Sequence, residues 1–131
     1  MKYLVDTSVL IHSLISRPKL NHRALELLAD NSSELYLSAV SSWEITIKVG
    51  AGRLFLPERP AEFVTHAMQI MSLQALDITH FHALALDALP NHHGDPFDRM
   101  LIAQAVSEQM TLLTTDRVLQ KYKVDLIFCG K

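Results

Sequence analysis

Cysteine is almost missing from this chain: of its 131 residues only Cys129 is one. An intramolecular disulfide is therefore excluded, and so is the paired Cys and His spacing of a structural zinc site. Long apolar runs are missing too. No stretch approaches the roughly 20 residues that a membrane helix needs. Asp6 interrupts the first apolar segment, which argues against a signal peptide. These absences set the expectation of a soluble, cytoplasmic protein. A glycine-rich phosphate loop is also lacking, as is a G-x-S-x-G elbow, and Cys129 has no base beside it to mark a thiol nucleophile. Finally there is no excess of positive charge. Twelve Lys and Arg against fourteen Asp and Glu leave a formal charge of −2, whereas a nucleic-acid binder is usually basic. That balance decides little, because a carboxylate cluster built to hold a cation would itself supply several of the negatives.

What is present is apolar and rhythmically punctuated. The hydrophobic share is 49%, enough for one domain, residues 1–131, to bury a core unaided. Short apolar runs at 2–5 (KYLV), 34–38 (ELYLS), 73–78 (LQALDI), 111–115 (TLLTT) and 124–129 (VDLIFC) read as strands. Between them lie segments of helical spacing at 7–15, 21–30, 38–52, 60–72, 79–90 and from the low 90s to about 109. Asn21 is a candidate cap for the second. Gly50 and Gly52 close the third, Pro60 stands near the start of the fourth, and Pro90 stops the fifth. Phe81 and Leu84 read as core, and Phe63, Met68 and Met71 as core or as a hydrophobic groove for a partner. Strands alternating with helices predict an α/β fold: a three-layer α/β/α sandwich about a parallel sheet of about five strands. In such sheets function gathers beyond the carboxyl ends of the strands.

Acidic residues collect at such places. Asp6 ends the first strand and Asp116 ends the fourth. In the stretch NHHGDPFDRMLIAQA, Asp95 and Asp98 flank Pro96 at a helix start, where Asp95 suits the N-cap, Pro96 the first position and Asp98 an acidic first turn. Glu44, in SSWEITIK, lies mid-helix among apolar neighbours, four residues before Lys48. Each acid has a local explanation: Asp6 or Asp116 could cap a helix, and Glu44 could pair with Lys48. Together they suggest more. Crowded carboxylates repel and raise one another's pKa unless a cation neutralises them, and Mg²⁺ or Mn²⁺ prefers oxygen ligands. Metal-dependent phosphodiester hydrolysis is the chemistry that fits.

Four segments in order, LVDTSVLI, SAVSSWEITIKVGAGRLFLP, DITHFHALALDALPNHHGDPFDRMLIAQA and LLTTDRVLQKY, resemble the PIN-domain nucleases, and among them the VapC-type toxins of bacterial toxin–antitoxin pairs. The resemblance runs from Met1 to about Phe128. It implies a sandwich of helices about a parallel sheet and an acidic site for Mg²⁺ or Mn²⁺. It also implies endoribonuclease activity restrained by a cognate VapB-like antitoxin, and a homodimer. Carried over residue by residue, the quartet falls on Asp6, Glu44, Asp98 and Asp116. Asp6 and Asp98 would be direct ligands, Glu44 would complete the shell or orient a bound water, and Asp116 would serve a second metal or hold water. Thr7 or Ser8, and Thr115, would hydrogen-bond these carboxylates. Lys48, His93, Arg99 and Arg117 are candidate substrate contacts, with His92 the other loop histidine to consider. An antitoxin would lie in an apolar groove formed by Leu10–Leu28 and Glu44–Arg53.

Two other readings stay open. One is a PIN-type nuclease acting on RNA or DNA outside any toxin–antitoxin pair. The other is a non-catalytic module that binds nucleic acid or protein, for which four repelling carboxylates are unnecessary. A phosphotransferase built on the DTS after the first strand is disfavoured, because the haloacid-dehalogenase pattern needs a second Asp at position 8, which is Ser.

Overall fold

The computed structural model describes all residues, 1–131. Its strands are β1 (Lys2–Val5), β2 (Glu34–Ser38), β3 (Gln74–Leu76), β4 (Thr111–Thr114) and β5 (Leu126–Phe128). They form one sheet in the order β3-β2-β1-β4-β5, and all four pairings are parallel. Six α-helices connect them: α1 (Thr7–Ile15), α2 (His22–Ala29), α3 (Ala39–Gly50), α4 (Pro60–Ile70), α5 (His80–Ala85) and α6 (Pro96–Glu108). No helix is long and apolar enough to cross a membrane.

Strand periodicity divides the interior into two cores, because successive side chains point to opposite faces. Tyr3 and Val5 of β1 join Leu35, Leu37 and Leu113 on one face, against Val9 and Leu10 of α1, Ala24 of α2, Ile45 of α3 and Ala67 of α4. Leu4, between them, joins Leu112 on the other face, against Leu101, Ile102 and Ala105 of α6. With both faces covered, the central strands are apolar on both sides, as the runs KYLV and TLLT are. The expected three-layer α/β/α sandwich is the fold observed.

Local details follow capping chemistry. Asn21 accepts from the Ala24 amide at 2.9 Å and starts α2. Asp95 accepts from the Phe97 amide at 2.8 Å and from the Asp98 amide at 3.3 Å, which begins α6 at Pro96 and leaves residues 91–95 as a loop. The helix expected over 79–90 is shorter. α5 ends at Ala85 and a 3₁₀ turn, Leu86–Ala88, follows. Pro90 has no N–H for the Leu86 carbonyl, which instead accepts from the Leu89 amide at 3.1 Å. The expected third strand shrinks to three residues, paired with β2 alone at the sheet edge.

The placing of Phe81 and Leu84 in the core does not hold: they are 70% and 74% exposed. A capping box sets the phase of α5 instead. The Thr79 hydroxyl accepts from the His82 amide, and His82 Nδ1 accepts from the Thr79 amide. This turns His82 inward to full burial. Its Nε2 meets Glu108 of α6 at 2.7 Å.

Candidate metal centre

Parallel pairing sets the carboxyl ends of β1 and β4 side by side, with Val5 opposite Leu113. The chain leaving β1 is held there by the Asp6 amide, which donates to the Leu113 carbonyl at 3.0 Å. Asp6 stands at the N-cap of α1, yet its side chain makes no cap bond. It is buried and accepts at Oδ2 from the Thr114 hydroxyl at 2.6 Å and the Ser8 hydroxyl at 3.2 Å. Burial pushes its pKa up to about 6, the Thr114 and Ser8 hydrogen bonds pull against that, and the Glu44 charge adds to it.

Glu44 reaches the same cleft from α3 and is 4% exposed. Its Oε2 pairs with Lys48 one turn on. Its Oε1 is buried with no hydrogen-bond partner, an unusual condition for a carboxylate oxygen. Burial would lower the Lys48 pKa, but the Glu44 hydrogen bond and the charges of Glu44, Asp95 and Asp98 together raise it.

Asp98 enters from the first turn of α6. Burial, then the charges of Asp6, Asp95, Glu44 and Asp116, push its pKa up to about 8. Asp116 follows β4 and caps the 3₁₀ turn Arg117–Lys121, its Oδ1 accepting from the Val118 amide at 2.9 Å. The other oxygen, Oδ2, lies 3.0 Å from His93 Nε2, and that nitrogen is 3.1 Å from Asp98 Oδ2. One ligand atom each from His93, Asp98 and Asp116 falls within 4.8 Å of the others. The open cleft lined by Asp6, Glu44, Asp98 and Asp116 measures about 530 Å³, and Lys48, Arg53 and Arg117 are the cations in its lining.

An acidic centre at the carboxyl end of a five-stranded parallel sheet now has a family to go with it, for a model of the PIN domain matches residues 3–125. The chain belongs to the PIN-domain family. Its PIN fold is shared with solved structures of low sequence identity. VapBC2 from Rickettsia felis, bound to a DNA fragment from its promoter, aligns with a TM-score of 0.75 at 18% identity over 99% of this chain and 100% of that one. DNA-bound VapBC from Salmonella typhimurium gives 0.68 at 17% identity over 98% of each chain. FitAcB from Neisseria gonorrhoeae gives 0.62 at 20% identity over 95% of this chain and 96% of that one. A comparison with curated proteins gives no match.

The PIN fold brings Asp6, Glu44, Asp98 and Asp116 to one cleft from four separate elements. It treats their expected helpers unevenly. Ser8 bonds Asp6 directly, whereas the Thr7 hydroxyl donates to Ser41 at 2.8 Å and the Thr115 hydroxyl to Ser8 at 2.8 Å, so neither hydroxyl bonds a carboxylate, and Thr7 acts on Asp6 only through its backbone N–H. Lys48 and Arg117 line the cleft, the latter with its guanidinium 4.2 Å over the Phe128 ring. Arg99, expected to meet a phosphate backbone, is outside it. Its guanidinium donates to the Pro90 carbonyl, the Tyr122 hydroxyl and the Leu86 carbonyl and braces a loop. His92 packs edge-on against Tyr122 with ring centres 5.1 Å apart and does not line the acidic cleft. Sequence reasoning missed Thr114. Its signal was a threonine in a strand buried on both faces, a position where a hydroxyl needs a partner.

Proposed function

We propose that this PIN domain, acting over the whole chain, is a metal-dependent endoribonuclease and the toxin of a toxin–antitoxin pair. The observation that carries the reading is the buried, orphaned Oε1 of Glu44 beside carboxyls that hold their protons far above the usual range. A cation would relieve both conditions, and an all-carboxylate set suits Mg²⁺ or Mn²⁺. Asp6, Glu44, Asp98 and Asp116 would hold it. When bound, such an ion lowers the pKa of a water and neutralises charge on a phosphodiester under attack.

The chain's own groups do the rest. Thr114 and Ser8 hold Asp6 in one orientation. Lys48 offsets the charge of Glu44. Arg117 and Arg53, in the cleft lining, attract the phosphate backbone of RNA and leave its bases unread. VapBC complexes among the similar structures support a VapB-like antitoxin as partner. Exposed Ile15, Trp43 and Ile47 on α1 and α3 offer apolar surface for it, and the active form is a homodimer.

The test is cleavage of a structured RNA pool by partner-free protein in Mg²⁺, Mn²⁺ or EDTA, beside Asp6→Asn and Asp98→Asn. Cleavage that needs metal and disappears in both variants, with the circular dichroism unchanged, supports the nuclease. Binding of RNA without cleavage, equal in the variants, refutes it in favour of a binding module. A small gene directly upstream, encoding a protein that blocks the cleavage, separates the toxin from a PIN nuclease working alone.

A further inference from the structure

We infer that His93 is a positioning residue of this centre, its Nε2–H donating a hydrogen bond to Asp116 while lying 3.1 Å from Asp98, and not a metal ligand. The inference rests on the nuclease reading for its purpose and on ring geometry for its content. His93 Nδ1 accepts from the Asp95 backbone N–H at 3.2 Å. A ring nitrogen that accepts carries no proton, so the proton of the neutral imidazole is on Nε2. That nitrogen faces two carboxylate oxygens, Asp98 Oδ2 at 3.1 Å and Asp116 Oδ2 at 3.0 Å. A donor bonded to one acid and set beside the other reduces their repulsion. Ligation through Nε2 would require the proton to move to Nδ1, where it would oppose the Asp95 N–H, donor against donor.

The backbone around His93 is locked in the same sense. Its amide donates to the Tyr122 hydroxyl at 3.0 Å. Arg99 donates to that hydroxyl at 3.2 Å and to the Pro90 carbonyl at 2.9 Å, so it holds both ends of the 90–93 segment. Asp95 completes the frame: its carboxylate starts α6, which carries Asp98, while its amide sets the His93 tautomer. The position of Arg99 outside the cleft thus has a use. A loop histidine of no consequence would not have its amide and both ring nitrogens engaged by groups that lead back to the same carboxylates.

The experiment is long-range ¹H–¹⁵N correlation of the histidine rings in the full-length protein, metal-free and then with Mg²⁺, together with Mn²⁺ affinity by electron paramagnetic resonance. The expected spectrum has His93 protonated on Nε2 and bare on Nδ1 in both states. A bare Nε2 with the proton on Nδ1, before or after Mg²⁺ is added, overturns the donor role. Partners that orient metal ligands alter affinity by roughly 10–100-fold, and His93→Ala should weaken Mn²⁺ binding by that much. His93→Gln, whose amide can still donate, should recover most of the loss, and Tyr122→Phe should fall between. Unchanged affinity in His93→Ala overturns the inference. Wild-type protein that binds no Mn²⁺ overturns the nuclease reading instead, and the metal-free spectrum then judges the donor separately.

Discussion

Replacing Asp98 with Asn should make the metal-free protein more stable in mild alkali, although it removes a residue proposed to hold the metal. Asp98 keeps its proton to about pH 8 in the fold, against 3.8 for an ordinary Asp. A folded-state pKa above the unfolded one means that the folded state binds the proton more tightly. The associated stability is present at acid pH and is lost as pH rises from about 4 through about 8. At 1.36 kcal/mol for each pH unit the full cost of ionisation is at most about 5–6 kcal/mol. Solvent around this partly exposed carboxyl reduces it to about 2 kcal/mol. Asp98→Asn keeps the shape and removes the charge. In EDTA at pH 8.5 it should melt about 5–10 °C above wild type, and at pH 4 the two should nearly coincide. Mn²⁺ at pH 8.5 should raise the wild-type melting temperature and leave the variant little changed. A variant no more stable than wild type at pH 8.5 in EDTA, or a wild-type melting temperature that is flat from pH 5 to 8.5, would refute the crowding of carboxylates on which the metal site is argued.

Other perturbations test separate parts of the structure. Thr114→Val removes the 2.6 Å donor to buried Asp6 and should cost about 1–3 kcal/mol, measured by urea unfolding of the metal-free protein at pH 8. Lys48→Met strips Glu44 of its one counter-charge. It should destabilise the metal-free protein by about 1–2 kcal/mol, less than for a fully buried pair because Lys48 is partly exposed; added Mn²⁺ should shrink the loss. Leu101→Ala opens a cavity in the core under α6 and should cost about 2–5 kcal/mol in the same assay. Arg117→Ala should weaken RNA binding and flatten its salt dependence without altering Mn²⁺ affinity, read by fluorescence anisotropy at several salt concentrations.

The alternation of strands and helices, the parallel sheet and the gathering of Asp6, Asp98 and Asp116 at one edge can be reached from the residue pattern, whereas Glu44 joins them only through the family resemblance. Short apolar runs ending in Asp6 and Asp116 are local signals, and the parallel sheet makes the acids neighbours. Phe81 and Leu84 go astray because helical spacing fixes which residues share a face and not which face turns inward. That was decided at α5 by the capping box of Thr79 and His82 and by the reach of His82 to Glu108, 26 residues away. Thr114 and Thr115 are adjacent and chemically identical. Only strand pairing decides that Thr114 meets Asp6 while Thr115 meets Ser8. Arg99 directly follows Asp98, but one step along a helix turns a side chain through about 100°, and its guanidinium lies on the loop instead of in the cleft. His93 owes its position to Tyr122, 29 positions on, which no local pattern singles out.

The most direct test of the central claim, hydrolysis by a metal-activated water, is to cleave an RNA that carries a single 2′-deoxy nucleotide at the mapped scissile position, in Mn²⁺ and in EDTA, and to examine the product ends. A water nucleophile has no use for the neighbouring 2′-hydroxyl. Cleavage of the deoxy RNA should therefore persist in Mn²⁺ and stop in EDTA, and the all-ribose RNA should be cut without leaving a 2′,3′-cyclic phosphate. Cleavage of the all-ribose RNA that continues in EDTA and leaves a cyclic phosphate, with the deoxy RNA left uncut, would contradict it.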